Sequence, residues 1–107
     1  MAAATFDYTF PDGSWRGEDK TKPARRVAPG LIVVTKGRGS YRYYGITHEP
    51  SGFNASEDFD RLRDAVATAE ALSYVLDWDR PLGEIEKELG GVTELRMRVR
   101  RVSLARR

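Results

Sequence analysis

Residues 31–47, LIVVTKGRGSYRYYGIT, decide the fold. Leu31 to Thr35 is a β-branched apolar run suited to a buried strand, and Lys36 to Ser40 supplies two glycines for a tight loop. Tyr41 to Thr47 reads as a second strand, so a hairpin is expected over 31–47. Arginine rarely faces a core, so parity predicts Tyr41 and Tyr43 inward and Arg42 and Tyr44 outward. Gly45 is then read as a bulge that returns Ile46 to the core side.

Upstream of the hairpin, Phe6, Tyr8 and Phe10 recur at spacing two in TFDYTF, the pattern of a half-buried strand, and Pro11-Asp12-Gly13 turns it. The stretch from Gly17 to Pro29 has no apolar periodicity and two prolines, and is read as a flexible basic loop over about 17–29. Downstream, Pro50 and Gly52 break the second strand. Phe59, Leu62, Val66, Ala69, Leu72 and Leu76 then recur at three-to-four spacing, which predicts a long helix over about 56–77 capped by Ser56 or Asn54. Pro81 in a first turn, a stripe of Leu82, Ile85 and Leu89, and Gly90-Gly91 at the end predict a shorter helix over about 81–89. Trp78 is expected to plug the junction between them. In GGVTELRMRVRRVSLARR (90–107), Leu95, Met97 and Val99 alternate with Arg96, Arg98 and Arg100, and the stretch from Val92 to about Leu104 is read as a returning strand.

The expected fold is α+β: a small antiparallel sheet, made of the hairpin 31–47 with N-terminal and C-terminal strands, one face covered by the two helices. A length of 107 residues fits a single domain over 1–107, with a frayed C-terminus at 105–107.

Composition narrows the chemistry. The absence of cysteine removes disulfides, thiolate metal sites and thiol nucleophiles, and a single histidine makes a zinc or non-haem iron site improbable, so neither metal nor cofactor is expected. No signal-like start and no long apolar run occur, so a cytoplasmic protein without membrane contact is expected. The net charge of +2 conceals segregation. Residues 1–56 carry eight basic and five acidic side chains, residues 57–91 four and ten, and residues 92–107 six and one.

That layout sets the functional readings. On an exposed strand face, Arg96, Arg98 and Arg100 would stand at about 7 Å intervals. With Arg101, Arg42 and Tyr44 they offer charge for phosphates and a ring for base stacking. Lys20, Lys22, Arg25 and Arg26 in the loop would add a mobile positive arm. Asp58, Asp60, Asp64, Glu84, Glu86 and Glu88 would repel phosphates, which argues against a major-groove reading helix in that block. Tyr43, Tyr44, His48 and Glu49 compose a minor candidate for acid-base chemistry of the metal-free nuclease type. The expectation is a non-enzymatic nucleic-acid-binding, specifically DNA-binding or RNA-binding, protein. The alternative is a protein-protein interaction module, a small regulator or inhibitor of phage or mobile-element type, using its acidic helices and exposed aromatics. Homodimerisation through an edge strand would suit either.

Overall fold

The computed structural model describes residues 5–11, 13–15, 19–56 and 58–106, with the backbone alone for Arg38, Ala105 and Arg106. The fold is α+β, a five-strand antiparallel sheet packed against three helices. The strands are β1 (Thr5–Thr9), β2 (Thr21–Ala28), β3 (Leu31–Arg38), β4 (Tyr41–His48) and β5 (Phe53–Asn54), and they pair in chain order. Then follow α1 (Leu62–Ser73), α2 (Leu82–Leu89) and α3 (Val92–Arg106).

The hairpin forms as its sequence predicts. Arg38 pairs with Tyr41 across a two-residue turn at Gly39-Ser40, and Gly39 takes the positive φ of +59° that such a turn requires. Its facing is the reverse of the expectation. Tyr44 packs with the helices, whereas Tyr41 is exposed and Tyr43 half-buried, their rings in contact. Parity runs unbroken from Tyr44 to Ile46, so Gly45 is no bulge: it pairs in register with Val34. A side chain there would collide with the Lys36 ammonium, which crosses over it.

Segment 17–29, read as a loop, contains β2. Its side chains give little sign of a strand, since Ala24 is its one buried residue. The backbone does the work, pairing with β1 on one side and β3 on the other. Pro23 is tolerated because pairing with β3 begins only at Ala24, so the proline sits where β2 has a partner on the β1 side alone. Gly17 and Glu18 lie outside the described residues.

The sheet is covered on both faces. Leu31, Val33 and Ile46 meet Ala65, Ala69, Leu72, Trp78, Ile85, Leu95 and Val99 of the helical layer. On the other face Ile32, Val34 and Ala24 meet Tyr8 and Phe10, with Trp15 against them. In a flat sheet β1 and β4 would lie about 14 Å apart. Yet the Tyr8 hydroxyl donates to the Glu49 carbonyl at 2.6 Å, so the sheet curls until its first strand meets the turn after its fourth.

The helix expected over 56–77 is shorter at both ends. Phe59 forms a β-bridge with Tyr44, N to O distances 2.7 and 2.8 Å, which ties the chain to β4 there, and after a bend at 60–61 α1 starts at Leu62. At the other end the Trp78 indole N–H donates to the Leu72 carbonyl at 3.0 Å, together with the Val75 and Leu76 amides, and closes the helix. Trp78 does plug the α1–α2 junction, 1% exposed. Gly30 sits at φ +82° under the Trp78 carbonyl, where a Cβ would overlap it. The helix expected over 81–89 is α2, ended by Gly90 at φ +89°.

The C-terminal segment is not a strand. Residues 92–106 form α3, which packs against α1 and α2, with Leu95 and Val99 fully buried, Ser103 buried and Val102 partly buried. α3 runs to Arg106; of the segment 105–107 expected to fray, Arg107 lies outside the described residues. Among the described residues no helix is long and apolar enough to cross a membrane.

Candidate nucleic-acid interface

Winding the C-terminal segment into a helix redistributes its arginines. Residues advance by about 100° along α3, so with Leu95 and Val99 inward the outermost ridge carries Met97 and Leu104. These two are 47% and 58% exposed. Arg96 and Arg100 flank the ridge on one side and Arg98 and Arg101 on the other, all four exposed. The regular 7 Å row of a strand is therefore replaced by two short rows, each within a turn of helix. No described carboxylate lies within ion-pair distance of any of the four.

The remaining cations of the expected interface are placed elsewhere and are mostly engaged. Arg26 makes a bidentate pair with Glu49, Nε to Oε1 3.0 Å and Nη2 to Oε2 2.6 Å, and its guanidinium lies over the Phe6 ring. Hydrogen bonding to that carboxylate, and its charge, raise the Arg26 guanidinium above its ordinary value. Arg25 is half-buried with an Nε that has no hydrogen-bond partner, and Lys22 stands over the Trp15 ring at 5.6 Å. Lys20 is exposed on the approach to β2. Arg42 is exposed and donates to the Gly39 carbonyl, while Tyr44 packs toward the helices and presents no open ring. The basic loop and the arginine face are thus not one surface: the former is a sheet strand, and only α3 gathers four exposed arginines.

Beside α3 lies a cavity of about 410 Å³. Arg96 and Arg100, one turn apart, stand on its α3 side with Val99, Ser103 and Leu104; Asn54, Ala55 and Ser56 form the opposite wall. The Arg96 guanidinium is held 5.1 Å from the centroid of the Phe53 ring on β5. Sequence reasoning missed Asn54, Ser56 and Ser103 as cavity residues because their convergence depends on α3 being helical. A second cavity of about 320 Å³ lies on the far side of Asn54, lined by Phe10, Trp15, Lys36 and Phe53 among others. There Lys36, 5% exposed, donates to Asp58 at 3.1 Å and reaches Asn54 at 3.4 Å.

The His48 cluster is structural in its geometry. The ring is fully buried, and Nε2 lies 3.0 and 2.9 Å from the Trp78 and Arg80 carbonyls, which fixes it as the donor. Nδ1 then accepts from the Ser51 hydroxyl at 2.7 Å. His48 pins β4 to the α1–α2 junction, and Tyr43 and Tyr44 point to opposite faces of the sheet. The acidic residues of α2 remain on its surface, Arg80 pairing with Glu88. Among the described residues no three His, Asp or Glu side chains gather as a metal site.

Comparison of the chain with protein-family models, with curated proteins and with solved structures returned no match.

Proposed function

We propose that this protein binds nucleic acid through the outer surface of α3. One observation carries the reading: Arg96, Arg98, Arg100 and Arg101 are exposed within two turns of one helix without a described carboxylate partner, whereas Arg26, Lys36 and Arg80 are each neutralised by one. Guanidinium groups in water beside apolar ridge residues suit phosphates flanking a sugar or base. Binding of this kind is electrostatic first, so affinity falls steeply with salt.

Titration of labelled single-stranded DNA, RNA and duplex DNA by fluorescence anisotropy at several salt concentrations tests it. Binding at low salt is expected, with a log-log slope that flattens when the four arginines are replaced by Gln. Absence of binding at about 50 mM salt, or an unchanged slope in the variant, refutes the reading.

A second reading has its own support. Tyr74, 91% exposed, and Val75 stand at the end of α1 beside the acidic Asp77 and Asp79, a combination suited to a protein partner with basic and apolar contacts. Under that reading, Tyr74→Ser reduces partner capture in a nuclease-treated pull-down and leaves nucleic-acid affinity untouched.

A further inference from the structure

We infer that the cavity between α3 and the 54–56 segment accepts one unstacked nucleotide, so that the protein prefers single strands to duplex. The inference rests on the α3 reading and adds the form of the ligand.

At about 410 Å³ the cavity falls toward the small end of the ~300–1,000 Å³ range of ligand pockets, the size class of a single nucleotide rather than of a helix. Its wall is divided. Arg96 and Arg100 supply charge for a phosphate, Asn54, Ser56 and Ser103 supply short donors and acceptors, and Ala55, Val99 and Leu104 are apolar. A polyanion without a flat body would leave the apolar part wet, and a neutral apolar ligand would make no use of the two guanidinium groups. A nucleotide satisfies both.

The position of Arg96 adds a planar surface. Its guanidinium is held against the Phe53 ring, and a guanidinium so fixed is a platform on which a base stacks. Among the described residues no carboxylate lines the cavity to oppose a phosphate. A paired base inside a duplex cannot enter without being unpaired and unstacked first, at a cost a single strand does not bear.

The test compares a ten-nucleotide single strand with its duplex at equal salt, in the wild type and in Ser103→Leu. That substitution fills the cavity without changing charge. Wild type is expected to favour the single strand by about tenfold, the worth of one stacked base. Ser103→Leu should bring the two affinities within about twofold by lowering the single-strand affinity alone, because phosphate contacts are shared by both ligands. Should the leucine prevent folding, as circular dichroism would reveal, the wild type still decides. Adenosine 5′-monophosphate should weaken single-strand binding more than duplex binding, because it fills the base site as well as the shared phosphate contacts. Equal affinity for both ligands, a preference that survives the filled cavity, or no preferential competition by the mononucleotide overturns the inference while leaving the α3 reading intact. Failure to bind either ligand removes both.

Discussion

Lys36 and Arg100 both have Asn54 as a neighbour, one through a hydrogen bond and the other across a cavity, yet their surroundings are opposites. Lys36 is 5% exposed, and its ammonium is paired with Asp58. Arg100 is exposed and meets no described carboxylate. Burial accounts for the difference. A charge withdrawn from water needs a partner within the fold, whereas one left in water is solvated and stays available to an external anion. Charge counts along a sequence cannot separate these cases; the placement of each cation relative to water and to carboxylates does.

The largest effect that would sharpen this contrast lies on the exposed side. Replacing Arg96, Arg98, Arg100 and Arg101 together by Gln should lower single-strand affinity by about a hundredfold near 0.1 M salt. Unfolding free energy should change by no more than about 0.5 kcal/mol per site, because the arginines are exposed and Gln is also a good helix former. A large loss of stability in urea would show that these groups serve the fold.

On the buried side the effect should fall on stability. Asp58→Ala leaves the Lys36 ammonium with Asn54 and the face of the Trp15 ring but without a carboxylate. Full loss of a buried partner costs about 3–5 kcal/mol, but the Asp58 side chain is 41% exposed, so about 1–2 kcal/mol is expected by urea denaturation. Adding Lys36→Met should recover part of that loss, since removing both charges removes the uncompensated one. No recovery would mean that Lys36 is solvated.

A smaller effect concerns the contact that records the curl of the sheet. Burial, with the Glu49 carboxylate as a lesser cause, holds the Tyr8 phenol above its ordinary pKa of 10.0. The folded state therefore keeps the proton more tightly than the unfolded chain. The resulting stability is complete below pH 10 and is lost as pH rises through the folded value. Tyr8→Phe should cost about 1 kcal/mol at neutral pH and remove this alkaline decline, as followed by urea midpoints from neutral to strongly alkaline pH. An unchanged alkaline slope would place the titration elsewhere.

The smallest expected effect is on the apolar ridge of α3. Met97→Ser, at the ridge residue that does not line the cavity, should alter stability by less than about 0.5 kcal/mol. A modest gain in solubility with nucleic-acid affinity retained would assign the interaction to the arginines; loss of affinity matching the arginine variant would assign it to the ridge.

The hairpin and α2 were legible because their signals are local: a β-branched run before two glycines, and a proline-to-glycine frame around Leu82, Ile85 and Leu89. β2 left almost no trace in TKPARRVA, because it is held by backbone pairing on both sides and buries a single alanine. The C-terminal segment was ambiguous for a definite reason. Leu95 and Val99 are four residues apart, an even number close to one helical turn, so both periods place them on one face. Met97 discriminates: a strand would bury it, and the structure leaves it half-exposed. Leu, Arg, Met and Glu at 94–98 are good helix formers, and that propensity was the readable signal. The arginines themselves were identified from sequence, but their grouping around a cavity with Asn54, Ser56 and Ser103 depends on helical winding and on β5.

Gly90 and Gly91, both at positive φ, join α2 to α3 with almost no intervening chain. An acidic rod and a basic rod are thereby welded at a fixed angle, which gives the molecule a permanent electric dipole. Approaching a polyanion, such a body is turned by the field before it touches, so that productive collisions begin with α3 leading. Lengthening that joint with a flexible insert would then slow association more than it hastens release.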